Sequence, residues 1–179
     1  MLIEDETDLL LFPPLRAGWA RRGRSKKVDL SGRNQKRVLF GALHPLTGRR
    51  HLLPREHARA RDFCAFLRLL RKHYRPHYRP LMLILDEHPS HTAEVSRALA
   101  DELNILLVFL PKRSPHLNPM DHLWRFAKAA ICANRQYRDL DEQVARVLLY
   151  LFAMPPREAL LKAGILSSHF WLRNLLRRL

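Results

Sequence analysis

Two uninterrupted apolar runs, Leu81-Met82-Leu83-Ile84-Leu85 and Ile105-Leu106-Leu107-Val108-Phe109, flank a segment in which Val95, Ala98, Leu99 and Leu103 recur at helical spacing. The first run is too short for a helix and predicts a strand buried on both faces. Strand, helix and strand in that order predict a parallel, right-handed crossover. Upstream, residues 2–5 and 37–43 read as strands, and residues 50–53 read as a third, antiparallel strand after the turn His44-Pro45-Leu46-Thr47-Gly48. Phe63, Phe66, Leu67, Leu70 and Tyr74 share one side of an amphipathic helix expected over about residues 55–74. The tetrapeptide His-Tyr-Arg-Pro, present at 73–76 and again at 77–80, ends that helix, because proline lacks an amide donor and restricts the residue before it.

In the last third of the chain the pattern is helical throughout. Asn118-Pro119 has the chemistry of a helix start, an N-cap followed by proline in the first turn, and Met120, Leu123, Trp124, Ala127 and Ile131 continue as an apolar stripe. Asp139 with Glu142 is a capping box ahead of a helix whose face is Leu140, Val144, Val147, Leu148 and Leu151, and Pro155-Pro156 stops it. A short helix closes near Gly164, and a final one carries Trp171, Leu172, Leu175, Leu176 and Leu179. Its apolar side is expected to be core, with a homodimer surface as the other reading. The fold class expected is α/β, a mixed sheet flanked by helices with extra C-terminal helices. Residues 1–135 would form the main domain and residues 136–179 a helical extension packed on it.

Charge adds a partner to this picture. The 179 residues hold 32 Lys+Arg against 17 Asp+Glu, a net +15, and such an excess points to a polyanion. The charge is uneven: nine Lys/Arg and a single acid, Asp29, lie between Arg16 and Arg37, while Glu4, Asp5, Glu6 and Asp8 crowd the start. Acidic and basic surfaces are therefore expected to be separate. Cys64 and Cys132 are isolated and show no CxxC spacing, which argues against a disulfide framework or thiolate zinc site and fits a reducing cytoplasm. The longest apolar run, residues 147–154, is far below a membrane span, and no basic region followed by an apolar stretch opens the chain.

Two acids are placed to do chemistry. Asp86 comes directly after the first apolar run, at the carboxyl end of a strand, where open α/β sheets gather their ligands. Asp121 falls in the first turn of the helix begun by Asn118-Pro119, where the helix dipole favours its charged form, and 34 residues separate the two. His73 with His77 and His88 with His91 have spacings that zinc can use, but without thiolate partners a structural or surface role is preferred. Trp19 and Trp124 are expected in the core rather than as base-stacking platforms.

Taken in order, Ile3-Glu4-Asp5-Glu6-Thr7, Trp19 and Gly23, Leu85-Asp86 and then His91, and Leu110-Pro111…Ser114-Pro115…Leu117-Asn118-Pro119-Met120-Asp121…Trp124 carry a resemblance. Over about residues 1–128 the chain resembles the catalytic domain of Tc/mariner-type transposases and their bacterial insertion-sequence relatives. The resemblance implies a ribonuclease H-like fold in which Asp5, Asp86 and Asp121 hold two Mg²⁺ or Mn²⁺ ions, with Glu6 or Asp8 as alternatives for the first acid. It implies cleavage of DNA at transposon ends and transfer of the freed 3′-hydroxyl into target DNA, in a bacterial cytoplasm or nucleoid.

Glu87, His91 and Asn118 are expected to support the site, His91 by orienting groups around it. Arg21, Arg22, Arg24, Lys26, Lys27, Lys112, Arg113, Arg125 and Lys128 are the expected DNA contacts. Relatives have Asn where this chain has Glu87 and Tyr where it has Arg113; Asp121 is the mariner choice where many bacterial relatives place Glu. A full transposase of this kind carries helix-turn-helix segments ahead of its first acid, whereas four residues precede Asp5. The expectation is one frame of an element expressed by frameshifting, with a separately encoded helix-turn-helix part, or a truncated remnant. Rival readings are an inactive DNA-binding remnant and a structure-selective nuclease on the same fold.

Overall fold

A computed structural model describes residues 1–19, 21–23, 27–28, 30–74 and 78–176. Five strands, β1 (Leu2–Leu10), β2 (Lys36–Leu43), β3 (Arg50–Arg55), β4 (Leu81–Leu85) and β5 (Ile105–Phe109), form one sheet in the order β3-β2-β1-β4-β5. β1, β2 and β3 are antiparallel neighbours, whereas β4 runs parallel to both β1 and β5, so the sheet is mixed as expected. The helices are α1 (Ala60–His73), α2 (Pro89–Thr92), α3 (Glu94–Glu102), α4 (Pro119–Ala127), α5 (Leu140–Ala153), α6 (Pro156–Lys162) and α7 (Arg173–Leu176).

Strand periodicity sorts the core into two layers, because successive side chains point to opposite faces. Leu2, Val38, Phe40 and Ala42 pack with Phe63, Phe66, Leu67 and Leu70 of α1. Leu9, Leu39 and Leu43 face the other way, onto Met120, Leu123 and Trp124 of α4 and Val147 and Leu151 of α5. The C-terminal helices thus share one apolar cluster with the sheet. Gly41 lets α4 approach closely: a Cβ there would lie 2.4 Å from the Trp124 ring and 2.7 Å from the Met120 methyl.

Several expectations are corrected. β1 is nine residues long and carries its acids through its middle, because pairing with β2 extends from Ile3↔Leu43 to Leu10↔Lys36. α1 starts at Ala60 rather than near 55; Arg55 stays in β3 and its Nε donates to Asp62 Oδ1 at 2.9 Å. The helix after β4 is broken at Ala93, whose ψ of 140° is extended, and the break shifts the phase of α3. Leu99 is buried as expected, but Ser96 and Ala100 are buried beside it and Val95 and Ala98 are exposed. β5 is an edge strand that leaves Leu106 exposed.

α4 gives way at Lys128 to one wider π-type turn, Lys128–Cys132, in which Ile131 is only partly buried. The capping box is half formed as read: Asp139 Oδ1 accepts from Glu142 N at 2.8 Å, but Glu142 Oε2 accepts from Arg138 N, not from Asp139. The final helix is a single turn; Leu172 is buried, Trp171 and Leu175 are nearly half exposed, and Leu179 lies outside the described residues. Trp124 is core as expected, whereas Trp19 is fully exposed, since none of the described residues packs over it in the segment between β1 and β2. Among the described residues no helix is long and apolar enough to cross a membrane.

Candidate active site

The parallel pairing of β1 with β4 aligns two of the three acids. Its last rung is Ile3↔Ile84; two residues on lie Asp5, within β1, and Asp86, just past the end of β4. Asp121 is brought in by a separate tie. The Asn118 side chain accepts from Met120 N at 3.0 Å, capping α4 as its sequence predicts, and its Nδ2 donates to the backbone oxygen of Glu4 at 2.8 Å. One amide therefore joins the start of α4 to the middle of β1. A cleft of about 600 Å³ opens there, lined by Asp5, Asp86 and Asp121 together with Glu6, Glu87, His88, Lys112, Arg113 and Asn118.

Crowded carboxylates raise one another's proton affinity. Asp5 is pushed up to about 8, first by burial and then by the charges of Glu6, Asp86 and Asp121. Asp86 moves the other way, below the usual carboxylate range, chiefly because His91 hydrogen-bonds to it. His91 Nδ1 lies 3.0 Å from Asp86 Oδ1, which also accepts from the His88 amide at 3.0 Å.

His91 is completely buried against Phe63, with 4.4 Å between ring centroids. Burial alone would lower its affinity for a proton, but Glu4, Asp86 and Glu6 outweigh that and raise it to about 11. Its Nε2 lies 3.4 Å from Glu6 Oε2 and 3.5 Å from Glu4 Oε2. Glu4 is fully buried, and that desolvation holds its carboxyl well above the ordinary range.

The remaining expected residues divide. Lys112 and Arg113 border the cleft; Lys112 also pairs with Glu87 at 3.3 Å. Arg125 is turned onto Asp121 in an ion pair one helical turn apart. Lys128 points instead toward a second, apolar groove that also includes Asp8 and Cys132, and burial lowers its ammonium's proton affinity. Arg21, Arg22 and Lys27 are exposed and do not line the cleft, and Arg24 and Lys26 lie outside the described residues, as does His77. Among the alternatives for the first acid, Asp8 pairs with Lys36 at 3.1 Å away from the cleft, whereas Glu6 reaches its edge.

Sequence reasoning missed the pairing of Glu4 and Glu6 with His88 and His91. Glu4 and Glu6 are two apart on a strand and so share a face, but an expected strand ending at residue 5 concealed that relation.

Known proteins share this architecture. The family model described as DDE superfamily endonuclease matches residues 1–143. An insertion element IS630 39 kDa protein of Shigella sonnei is 28% identical over 154 residues, spanning 86% of this chain and 45% of that protein. An uncharacterized Sinorhizobium fredii protein is 41% identical over 63 residues, covering 35% of this chain and 44% of its own length. The chain thus spans less than half the length of these relatives. A pre-cleavage Mos1 transpososome superposes with a TM-score of 0.73 at 20% identity, over 94% of this chain and 53% of the other. The isolated catalytic domain of Mos1 mariner transposase gives 0.67 at 19% identity, over 94% and 78% of the two chains. These likenesses establish the ribonuclease H-like fold.

Proposed function

The chain belongs to the DDE superfamily endonucleases, and from that premise we propose that it is the catalytic domain of a transposase, cutting DNA at transposon ends and joining the freed 3′-hydroxyl to target DNA. The observation that carries this reading is the convergence of Asp5, Asp86 and Asp121 on one cleft, close enough for Asp86 and Asp121 to raise the proton affinity of Asp5. An all-oxygen, anionic donor set suits the hard cations Mg²⁺ and Mn²⁺, and Asp5, Asp86 and Asp121 are the residues that would hold them. Bound there, such ions would supply the Lewis acidity that activates water and stabilises a leaving oxygen.

The chain's own groups do the positioning. His91 and the His88 amide fix the Asp86 carboxylate; Asn118 fixes the height of Asp121 against β1; Lys112 and Arg113 sit where they can meet phosphate oxygens. In the first step water's oxygen bonds to phosphorus, the bond to the 3′-oxygen breaks, and the proton water gives up returns to that oxygen. In the second, the 3′-hydroxyl oxygen bonds to a target phosphorus, the target's 3′-oxygen leaves, and again one proton changes hands. No bond to the protein forms.

The test is Mn²⁺-dependent nicking of a transposon-end duplex by purified protein. Asp86→Asn and Asp121→Asn should abolish nicking with the fold retained by circular dichroism; nicking that persists in both rejects the assignment. One observation favours a second reading, a DNA-binding protein without turnover: the Arg125 guanidinium occupies the Asp121 carboxylate. A live site gains thermal stability in millimolar Mg²⁺ or Mn²⁺ through linkage, and a dead one does not.

A further inference from the structure

On the other face of β1 from Asp5, Glu4, Glu6, His88 and His91 meet and leave buried polar atoms unpartnered on three of them. Glu4 and His91 are fully buried, and neither oxygen of Glu4, nor Glu6 Oε2, nor His91 Nε2 has a hydrogen-bond partner among the described residues. His91 Nδ1 faces both the backbone oxygen of Asp86 at 3.1 Å and its Oδ1 at 3.0 Å, so Nδ1 carries a proton and donates. In a neutral imidazole that leaves a lone pair on Nε2, directed at Glu6 and Glu4. His88 Nδ1 lies 2.7 Å from Ser90 Oγ, accepts from Ser90 N at 3.3 Å and stands 3.3 Å from Glu6 Oε1, so an ion bound there would displace the serine hydroxyl's hydrogen bond. Carboxylate oxygens crowded on a buried imidazole require a positive charge between them, which either a proton on His91 or a bound cation supplies.

We propose that Glu6, His88 and His91 form a second cation site, beside the three aspartates and opening on the same cleft, that takes a borderline transition-metal dication of the Zn²⁺ or Co²⁺ type. The distances suit it. His88 Nδ1 lies 3.3 Å from Glu6 Oε1 and His91 Nε2 lies 3.4 Å from Glu6 Oε2, so one carboxylate oxygen faces each imidazole at the separation of two ligands on an ion whose metal–ligand bonds are about 2.0–2.1 Å. One ligand atom from each of these three residues lies within 4.8 Å of those of the other two. The Asp86–His91 contact supplies the outer support typical of a metal-bound imidazole, which donates its second ring N–H to a carboxylate or carbonyl. Glu4 adds a buried negative charge alongside. His88, about one-third exposed, borders the cleft and gives the ion a way in. Two imidazoles select against Mg²⁺, which prefers oxygen. An ion here would hold His91 and, through it, Asp86, so the site goes beyond the strand-cleavage reading without depending on it.

The test is titration of the EDTA-stripped chain with Co²⁺ in excess Mg²⁺, monitored by visible absorption. The proposal expects the ligand-field band of nitrogen-bound cobalt, retained in Asp121→Asn and weakened by about tenfold or more in affinity in both His88→Ala and Glu6→Gln. Circular dichroism accompanies each variant; His88 is partly exposed, so its replacement keeps the test open should Glu6→Gln misfold. Absence of the band overturns the site, and so does a band that is lost in Asp121→Asn or unmoved in His88→Ala; the first result would mean that a proton on His91 supplies the charge instead. Since Asp121→Asn removes nicking but not the cobalt band, failure of either reading is visible apart from the other.

Discussion

Asp5 lies directly across from Gly41 on the antiparallel β1–β2 ladder, and the space a side chain at position 41 would fill is taken by the ring of Trp124. The missing Cβ brings α4 down onto the face of β1 that carries Asp5. Since Asp121 sits one turn before Trp124 on the same helix, a packing detail two strands from β4 sets the distance between two candidate metal ligands.

Gly41→Ala should therefore cost stability and disturb the site together. Overpacking of this kind costs roughly 1–3 kcal/mol, measurable by urea denaturation, and the thermal stabilisation given by Mn²⁺ should shrink with it. Wild-type stability in the variant would mean that α4 can lift away freely.

Asn118 makes one bond to each of two elements, so its removal should act on both. Asn118→Ala loses the cap on Met120 N and leaves the Glu4 oxygen without its donor, an expected loss of about 1–3 kcal/mol. Asn118→Asp keeps the cap but cannot donate, and it should recover little of that loss if the bond to Glu4 dominates. Full recovery by Asp would place the whole effect in the cap.

The raised proton affinity of Asp5 predicts a pH dependence of definite sign. Its folded value of about 8 against an ordinary 3.8 means the native state binds the proton more tightly. That contribution is complete below about pH 4 and is lost as pH rises through about 8. Asp86, shifted down, and His91, shifted up, add slopes of their own, so the comparison is between wild type and Asp5→Asn. Without divalent cations, the variant should gain on wild type as pH rises from 4 to 8, by up to a few kcal/mol on the order of 1.36 per pH unit. Mg²⁺ should narrow that gap by replacing the proton on wild type. Parallel curves in denaturation experiments would place Asp5 outside the coupled cluster.

DNA binding should be steeply dependent on salt. If the exposed cations of the β1–β2 connection and the cleft rim neutralise six to ten phosphates, affinity falls about 10³–10⁵-fold between roughly 50 and 200 mM salt. Lys112→Ala and Arg113→Ala should each reduce the logarithmic slope by about one, whereas Arg125→Ala, already paired with Asp121, should change it less. Fluorescence anisotropy measures both, and a flat response removes DNA as the partner.

Local chemistry accounts for the features legible along the chain. The apolar run 81–85 ends at Asp86 as a buried strand does, and the Asn118-Pro119 start and the Asp139 cap depend on bonds made within two or three residues. Such features survive without knowledge of the fold. The length of β1 did not, because its acids disfavour a strand until β2 supplies eight cross-strand partners. Val95 turned outward after a backbone break at Ala93 that helical spacing cannot reveal, and Trp19 proved bare since burial depends on what else arrives. The assembly of Glu4 and Glu6 with His91, more than 80 positions apart, was decided by the β1–β4 pairing and by α1 covering that face. Sequence alone thus specified which acids could matter and the local elements that bear them; tertiary packing decided which of them meet, because distance between charges is a property of the folded sheet and not of chain order.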